Sequence, residues 1–136
     1  MVFEATIKYK TTLGNGDVKD VRESFVFENE EFFADVEKKL YELYSTSDSD
    51  MSIISIKPSK IQEIANERQQ TSDALWLAEV QDVFLQDDGT EKATKYKILF
   101  FAQSFDSANS FIRDYIRQGY DMKLVSLKET KFTEVL

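Results

Sequence analysis

The 136-residue chain has no cysteine and no histidine. Without cysteine there is no disulfide framework and no thiolate nucleophile. Without histidine as well, tetrahedral zinc, haem ligation and Ser–His–Asp or Cys–His catalysis are excluded. What survives is carboxylate, lysine or tyrosine chemistry, or none. No apolar run approaches the ~20 residues of a membrane span, and the opening MVFEATIKYK lacks the cationic-then-apolar layout of a signal peptide. A cytoplasmic protein is expected. Positive charge is also scarce: 17 Lys and Arg face 25 Asp and Glu, for a net charge of −8. That total argues at first against a polyanionic ligand.

What is present is a folding composition, 42% hydrophobic and 13% aromatic, and a phrase written twice. SIKPSKIQEI at 55–64 and SLKETKFTEV at 126–135 share Ser, aliphatic, Lys and a later Lys-apolar-polar-Glu-apolar tail, 71 residues apart. Three further matches keep the same order. FEATIKY (3–9) matches WLAEVQD (76–82), LGNGDVK (13–19) matches QDDGTEK (86–92), and SFVF (24–27) matches KILF (97–100). The chain is read as one domain of two repeats, 1–66 and 74–136, joined by a polar linker at 67–73.

Each repeat reads strand, turn, strand, helix, strand. Phe3, Ala5, Ile7 and Tyr9 alternate with polar residues at the period of a half-buried strand. GNGD and DDGT are hairpin turns. Val21, Phe25 and Phe27, and Tyr96, Ile98 and Phe100, take the inward parity of the second strands. Phe33, Val36, Leu40 and Leu43 have helical spacing, with Asn29 as cap and Glu30 and Glu31 favouring the N-terminus. Phe105, Ala108, Ile112 and Tyr115 repeat it, with Ser104 as cap and Gly119 as stop. The last strands face inward through Ile54 and Ile56, or Val125 and Leu127, and their tails form a second short strand. Pro58, the one proline, marks an edge or bulge there. The expected fold is α+β: internally duplicated strand-strand-helix-strand units forming an antiparallel sheet with two helices on one face.

FEATIKY, WLAEV and VSLKETKFTEV resemble a family of short duplicated proteins of unknown function from Bacteroidota and their tailed gut phages. The resemblance spans nearly the whole chain, with Phe3 standing where the family's pattern has tryptophan. It implies no established activity; for phage members it implies a distant similarity to PC4-like single-stranded DNA-binding proteins, which order their elements differently.

Charge is unevenly placed. The predicted strands sum to +3, so helices and loops carry −11. Lys8, Lys10, Arg22, Lys57, Lys95, Lys97 and Lys128 share the outer strand parity, against Glu4, Glu28 and Glu79. Such a face can follow a phosphate backbone, and Phe101 is the one aromatic placed to stack on a base. The plain alternative is a solvated polar face. Leu77, Val83, Leu85, Leu99 and Phe101 on the outer parity of the second repeat read instead as an interface with another copy or a partner. Trp76 and Phe84 are read as core. The acidic runs SDSD (47–50) and DDGTE (87–91) lack the ligand pattern of a calcium loop and are read as turns. Glu63 and Glu134 recur with the repeat and are read as structural. The expectation is a non-enzymatic protein without cofactor or metal. Single-stranded nucleic acid is the favoured ligand and a protein partner, such as a host protein engaged by a phage factor, the alternative; a homodimer is possible in either.

Overall fold

The structure, a computed structural model, describes residues 1–44, 51–117 and 122–136. The first repeat runs β1 (Phe3–Thr12), β2 (Val18–Phe27), α1 (Phe33–Tyr44), β3 (Ser52–Pro58) and β4 (Glu63–Ile64). The second runs β5 (Ala74–Leu85), β6 (Glu91–Ala102), α2 (Phe105–Ile116), β7 (Met122–Glu129) and β8 (Phe132–Val135). The fold is α+β, with the same order of elements in both halves. Both hairpins turn through the anticipated glycines, Gly16 at φ 89° and Gly89 at φ 84°, a region that side chains with a Cβ resist.

The arrangement of the sheets departs from the single antiparallel sheet expected. The described residues form two four-stranded sheets, ordered β3-β1-β2-β8 and β4-β6-β5-β7. Each has an antiparallel core and one parallel edge strand, β8 along β2 and β4 along β6. Each sheet carries one helix rather than two sharing a face. The cause is an exchange of tails. One compact unit consists of residues 1–59 and 131–136, the other of 60–130, so the last strand of each repeat completes the other repeat's sheet. Three antiparallel strands leave the outer edge of β2 or β6 with unpaired N–H and C=O groups, and the incoming tail closes that edge.

In the first unit Phe3, Ala5, Ile7, Phe25 and Phe27 pack with Val36 and Leu40 of α1. In the second, Trp76, Ala78, Val80, Ile98, Phe100 and Ala102 pack with Ala108, Ile112 and Ile116 of α2. The Trp76 indole N–H also donates to the Ala102 carbonyl at 3.1 Å. Three expected helix core positions fall elsewhere: Phe33, Leu43 and Phe105 are each more than half exposed. Helical spacing allowed a wider apolar stripe than one sheet face covers.

The third strands also differ in detail. A bulge opposite Thr6/Ile7 places Ile53 and Ile56 inward, and one opposite Glu79/Val80 does the same for Leu124 and Leu127. Ile54 and Val125, expected inward, are the extra residues of those bulges and lie half exposed. Pro58 ends β3 at the sheet edge, as its missing N–H favours. Ser104 caps α2 in a reciprocal capping box with Ser107. Asn29 does not cap α1, which starts four residues later; Glu30 is buried and pairs with Lys39. Gly119 and SDSD at 47–50 lie outside the described residues.

Residues 67–73 form an ordered turn. The Asp73 carboxylate accepts the backbone N–H groups of Gln69 and Gln70, each at 2.9 Å, and Arg68 donates to the carbonyl of Asp73 at 2.5 Å.

Candidate functional site

In the first unit, Lys8, Lys10, Arg22 and Lys57 occupy the sheet face opposite the one that packs on α1. Strand register explains the placement. Lys8 lies directly across from Arg22, Lys10 across from Asp20, and Lys57 across from Glu4. Like charges on facing positions of paired strands repel, and the Lys8–Arg22 pair does so two residues from Lys10. Asp20 offsets part of this through an ion pair with Lys8 at 3.5 Å. Both side chains there are well solvated, and exposed pairs of this kind contribute at most about 1 kcal/mol.

In the second unit, Lys95, Lys97 and Lys128 occupy the corresponding face, so the predicted cations fall on two sheets and not on one. Lys97 faces Glu79 and Lys128 faces Leu77; Lys95 reaches Glu79 at 3.9 Å. Phe101, the aromatic considered for base stacking, is only 7% exposed. The Arg68 guanidinium lies 4.8 Å from its ring centre, and the Asn66 amide bonds its backbone N–H and carbonyl at 2.7 and 3.0 Å. Asn66 continues the β4 pairing with its side chain, a role no periodicity marks.

The residues considered for an interface separate. Leu99 is fully buried and Leu77 and Val83 are partly buried, while Leu85 is 71% exposed. Phe84, expected in the core, is 44% exposed; among the described residues β7 pairs with β5 only as far as Asp82. Val83, Phe84 and Leu85 line an open groove with Glu91, Met122 and Lys123.

Sequence reading missed a cluster of tyrosines and glutamates that recurs in both units. In the second, Glu63 of β4 accepts the hydroxyl of Tyr96 at 2.8 Å and that of Tyr115 on its other oxygen. In the first, the Tyr9 hydroxyl donates to Glu23, and the Tyr44 ring lies beside both Tyr9 and Phe25. The hydrogen bond to Glu23 and then desolvation push the Tyr9 hydroxyl up to about 12. The bond to Glu63, desolvation and the Glu63 charge do the same for Tyr115. Tyr44 is raised mainly by desolvation, with the charges of Glu23 and Glu134 adding to it. Tyr96 is raised by desolvation and its bond to Glu63. The recurring tail-strand carboxylates thus meet tyrosine in both units: Glu63 bonds Tyr96 and Tyr115, and the Glu134 charge acts on Tyr44. A signal existed in the glutamate of the repeated tail phrase, but its partners are remote in sequence.

The DDGTE turn is solvated. Asp88 accepts from the Thr90 N–H and hydroxyl, which holds its carboxyl below the usual range. Among the described residues no group of three or more Asp or Glu is placed to hold a metal ion, and no helix is long and apolar enough to cross a membrane.

These features define an internally duplicated α+β protein of two compact units joined by exchanged tail strands. The chain belongs to the family described as Domain of unknown function (DUF4494), which it matches over residues 1–136. No curated protein and no solved structure matches it.

Proposed function

We propose that this protein is a non-enzymatic binding protein that holds single-stranded nucleic acid by its phosphate backbone, on the sheet face formed by Lys8, Lys10, Arg22 and Lys57. The observation that carries this reading is the direct opposition of Lys8 and Arg22, with Lys10 alongside. A polyanion relieves that repulsion and releases its own counterions on binding. Lys95, Lys97 and Lys128 extend the same chemistry to the second sheet. The burial of Phe101 favours backbone contact over base stacking, and so weak sequence preference and strong salt dependence. A role in phage or bacterial DNA metabolism, in the cytoplasm, is part of this proposal.

Fluorescence anisotropy with single-stranded and duplex oligonucleotides at two salt concentrations tests the reading. Binding is expected at low salt and should fall steeply as salt rises. Changing both Lys8 and Arg22 to Glu should weaken it and flatten the salt slope, by roughly one unit for each phosphate no longer neutralised. Absence of binding at low salt removes the nucleic-acid reading. A protein partner is the second reading, favoured by the exposed Phe84 and Leu85 beside the β5 groove.

A further inference from the structure

The two tails dock on equivalent strand edges in one register. In the first unit Phe25 faces Glu134 and Val26 faces Val135 along β8. In the second Ile98 faces Glu63 and Leu99 faces Ile64 along β4. SFVF (24–27) is equivalent to KILF (97–100), and the repeated tail phrases end at 64 and 135, so the pairing is the same in both units. The backbone repeats it: the Leu136 N–H donates to the Val26 carbonyl at 2.7 Å, and the Ala65 N–H to the Leu99 carbonyl at 2.9 Å. Two separate stretches of chain reach this register through one pattern, Lys-apolar-polar-Glu-apolar. The edge of the second strand thus takes an extended peptide of that pattern by parallel strand addition.

The tail at 131–136 hangs on a very short hinge. Thr130 is fixed within the second unit, where its backbone N–H and its hydroxyl both donate to the Leu75 carbonyl at 2.9 Å. β8 opens at Phe132 in the first unit, which leaves Lys131 alone between the anchor and the strand. A tethered strand competes through its effective concentration, which falls when the linker gives it little play. β8 has four residues, and Phe132, Glu134 and Val135 are only partly buried, so few contacts hold it in place. A short hinge carrying a detachable element is the condition under which identical copies exchange that element.

We propose that the β2 edge is a strand-acceptor site whose partner is the 131–136 tail of a second copy of this chain. Two copies exchange β8 reciprocally, each tail adding to β2 of the other copy in the register of the intramolecular pairing. The occupant is set by fit: this segment already matches the edge residue for residue. Every β2–β8 pairing is kept in the exchange, and the reciprocal arrangement closes at two copies. Backbone hydrogen bonds and apolar contacts are exchanged, so the dimer depends little on salt. The exchange is independent of the proposed nucleic-acid function and is tested without any oligonucleotide.

Sedimentation velocity of the full chain, refolded over a range of protein concentrations, reads the exchange. A dimer whose share grows with concentration and persists at high salt is expected. Inserting Gly-Ser-Gly-Ser between Thr130 and Lys131 gives the tail play to close on its own β2 and should weaken the dimer by about tenfold or more. Val135→Asp places a charge at a partly buried tail position and should abolish the dimer. Circular dichroism checks that both variants fold. The insertion leaves every pairing residue in place, so it decides the question even where Val135→Asp fails to fold. A chain that is monomeric at every concentration overturns the proposal. So does a dimer indifferent to hinge length, because another surface then holds it.

Discussion

At the residue scale, tyrosine is the titrating side chain that matters. Tyr9 and Tyr115 hold their protons to about 12 in the folded chain, against roughly 10 for an exposed phenol. The unfolded chain therefore loses these protons first as pH rises. Stability from the tyrosine hydrogen bonds is full below about pH 10 and falls progressively as pH approaches 12. Ultraviolet tyrosine titration should show a late-ionising phase that is lost in the Tyr9→Phe/Tyr115→Phe double variant, together with a denaturation midpoint that drops across the same window in the native protein. Glu63 anchors the hydroxyls of Tyr96 and Tyr115 at once. Glu63→Ala leaves both without their acceptor and is expected to cost about 1–3 kcal/mol in denaturant unfolding.

At the element scale, the ends of helices and strands separate what local chemistry sets from what packing sets. Ser104 was legible as a cap because serine before an apolar-periodic segment meets the free N–H groups of a first turn. Ser104→Ala should cost about 1 kcal/mol, measurable as a shift in denaturant midpoint. The start of α1 was not legible in the same way: Asn29 has the right chemistry, but Glu30 is taken up by Lys39 and the helix begins at Phe33. The bulges in β3 and β7 reverse the expected facing of Ile54 and Val125, since one inserted residue exchanges the faces of those that follow. Runs such as SIISIK contain several aliphatic residues in succession and do not indicate where the extra one sits. Leu40→Ala, at a fully buried helix position, is expected to lose about 2–5 kcal/mol, whereas Leu43→Ala, half exposed, should be nearly silent.

At the scale of the whole molecule, stability depends on the exchange of tails. β8 closes the edge of β2 through register pairs at Ser24, Phe25 and Val26, and the Leu136 N–H donates to the Val26 carbonyl at 2.7 Å. Removing residues 131–136 should expose that edge. Hydrogen exchange should then speed up in residues 24–27 of β2, while the amides of β5 and β6 in the second unit change much less. Equal loss of protection in both units would show that they unfold as one cooperative body.

The duplicated order of strands and helices, both turn glycines, the α2 cap and most of the sheet core follow from local pattern, because periodicity and turn chemistry act over a few residues. The outer parity of Lys8, Lys10 and Arg22 follows from the same alternation. Which sheet each tail joins, that Phe101 is covered by Arg68 and Asn66, and that Glu63 meets Tyr96 and Tyr115 were decided only by tertiary structure. The side-chain contacts join residues 33 to 52 positions apart and the β2–β8 pairing residues 108 to 109 apart, with no shared period to mark them. A strand's sequence specifies which face it buries, but an unpaired backbone edge accepts any strand that reaches it, so the partner is settled by the fold as a whole.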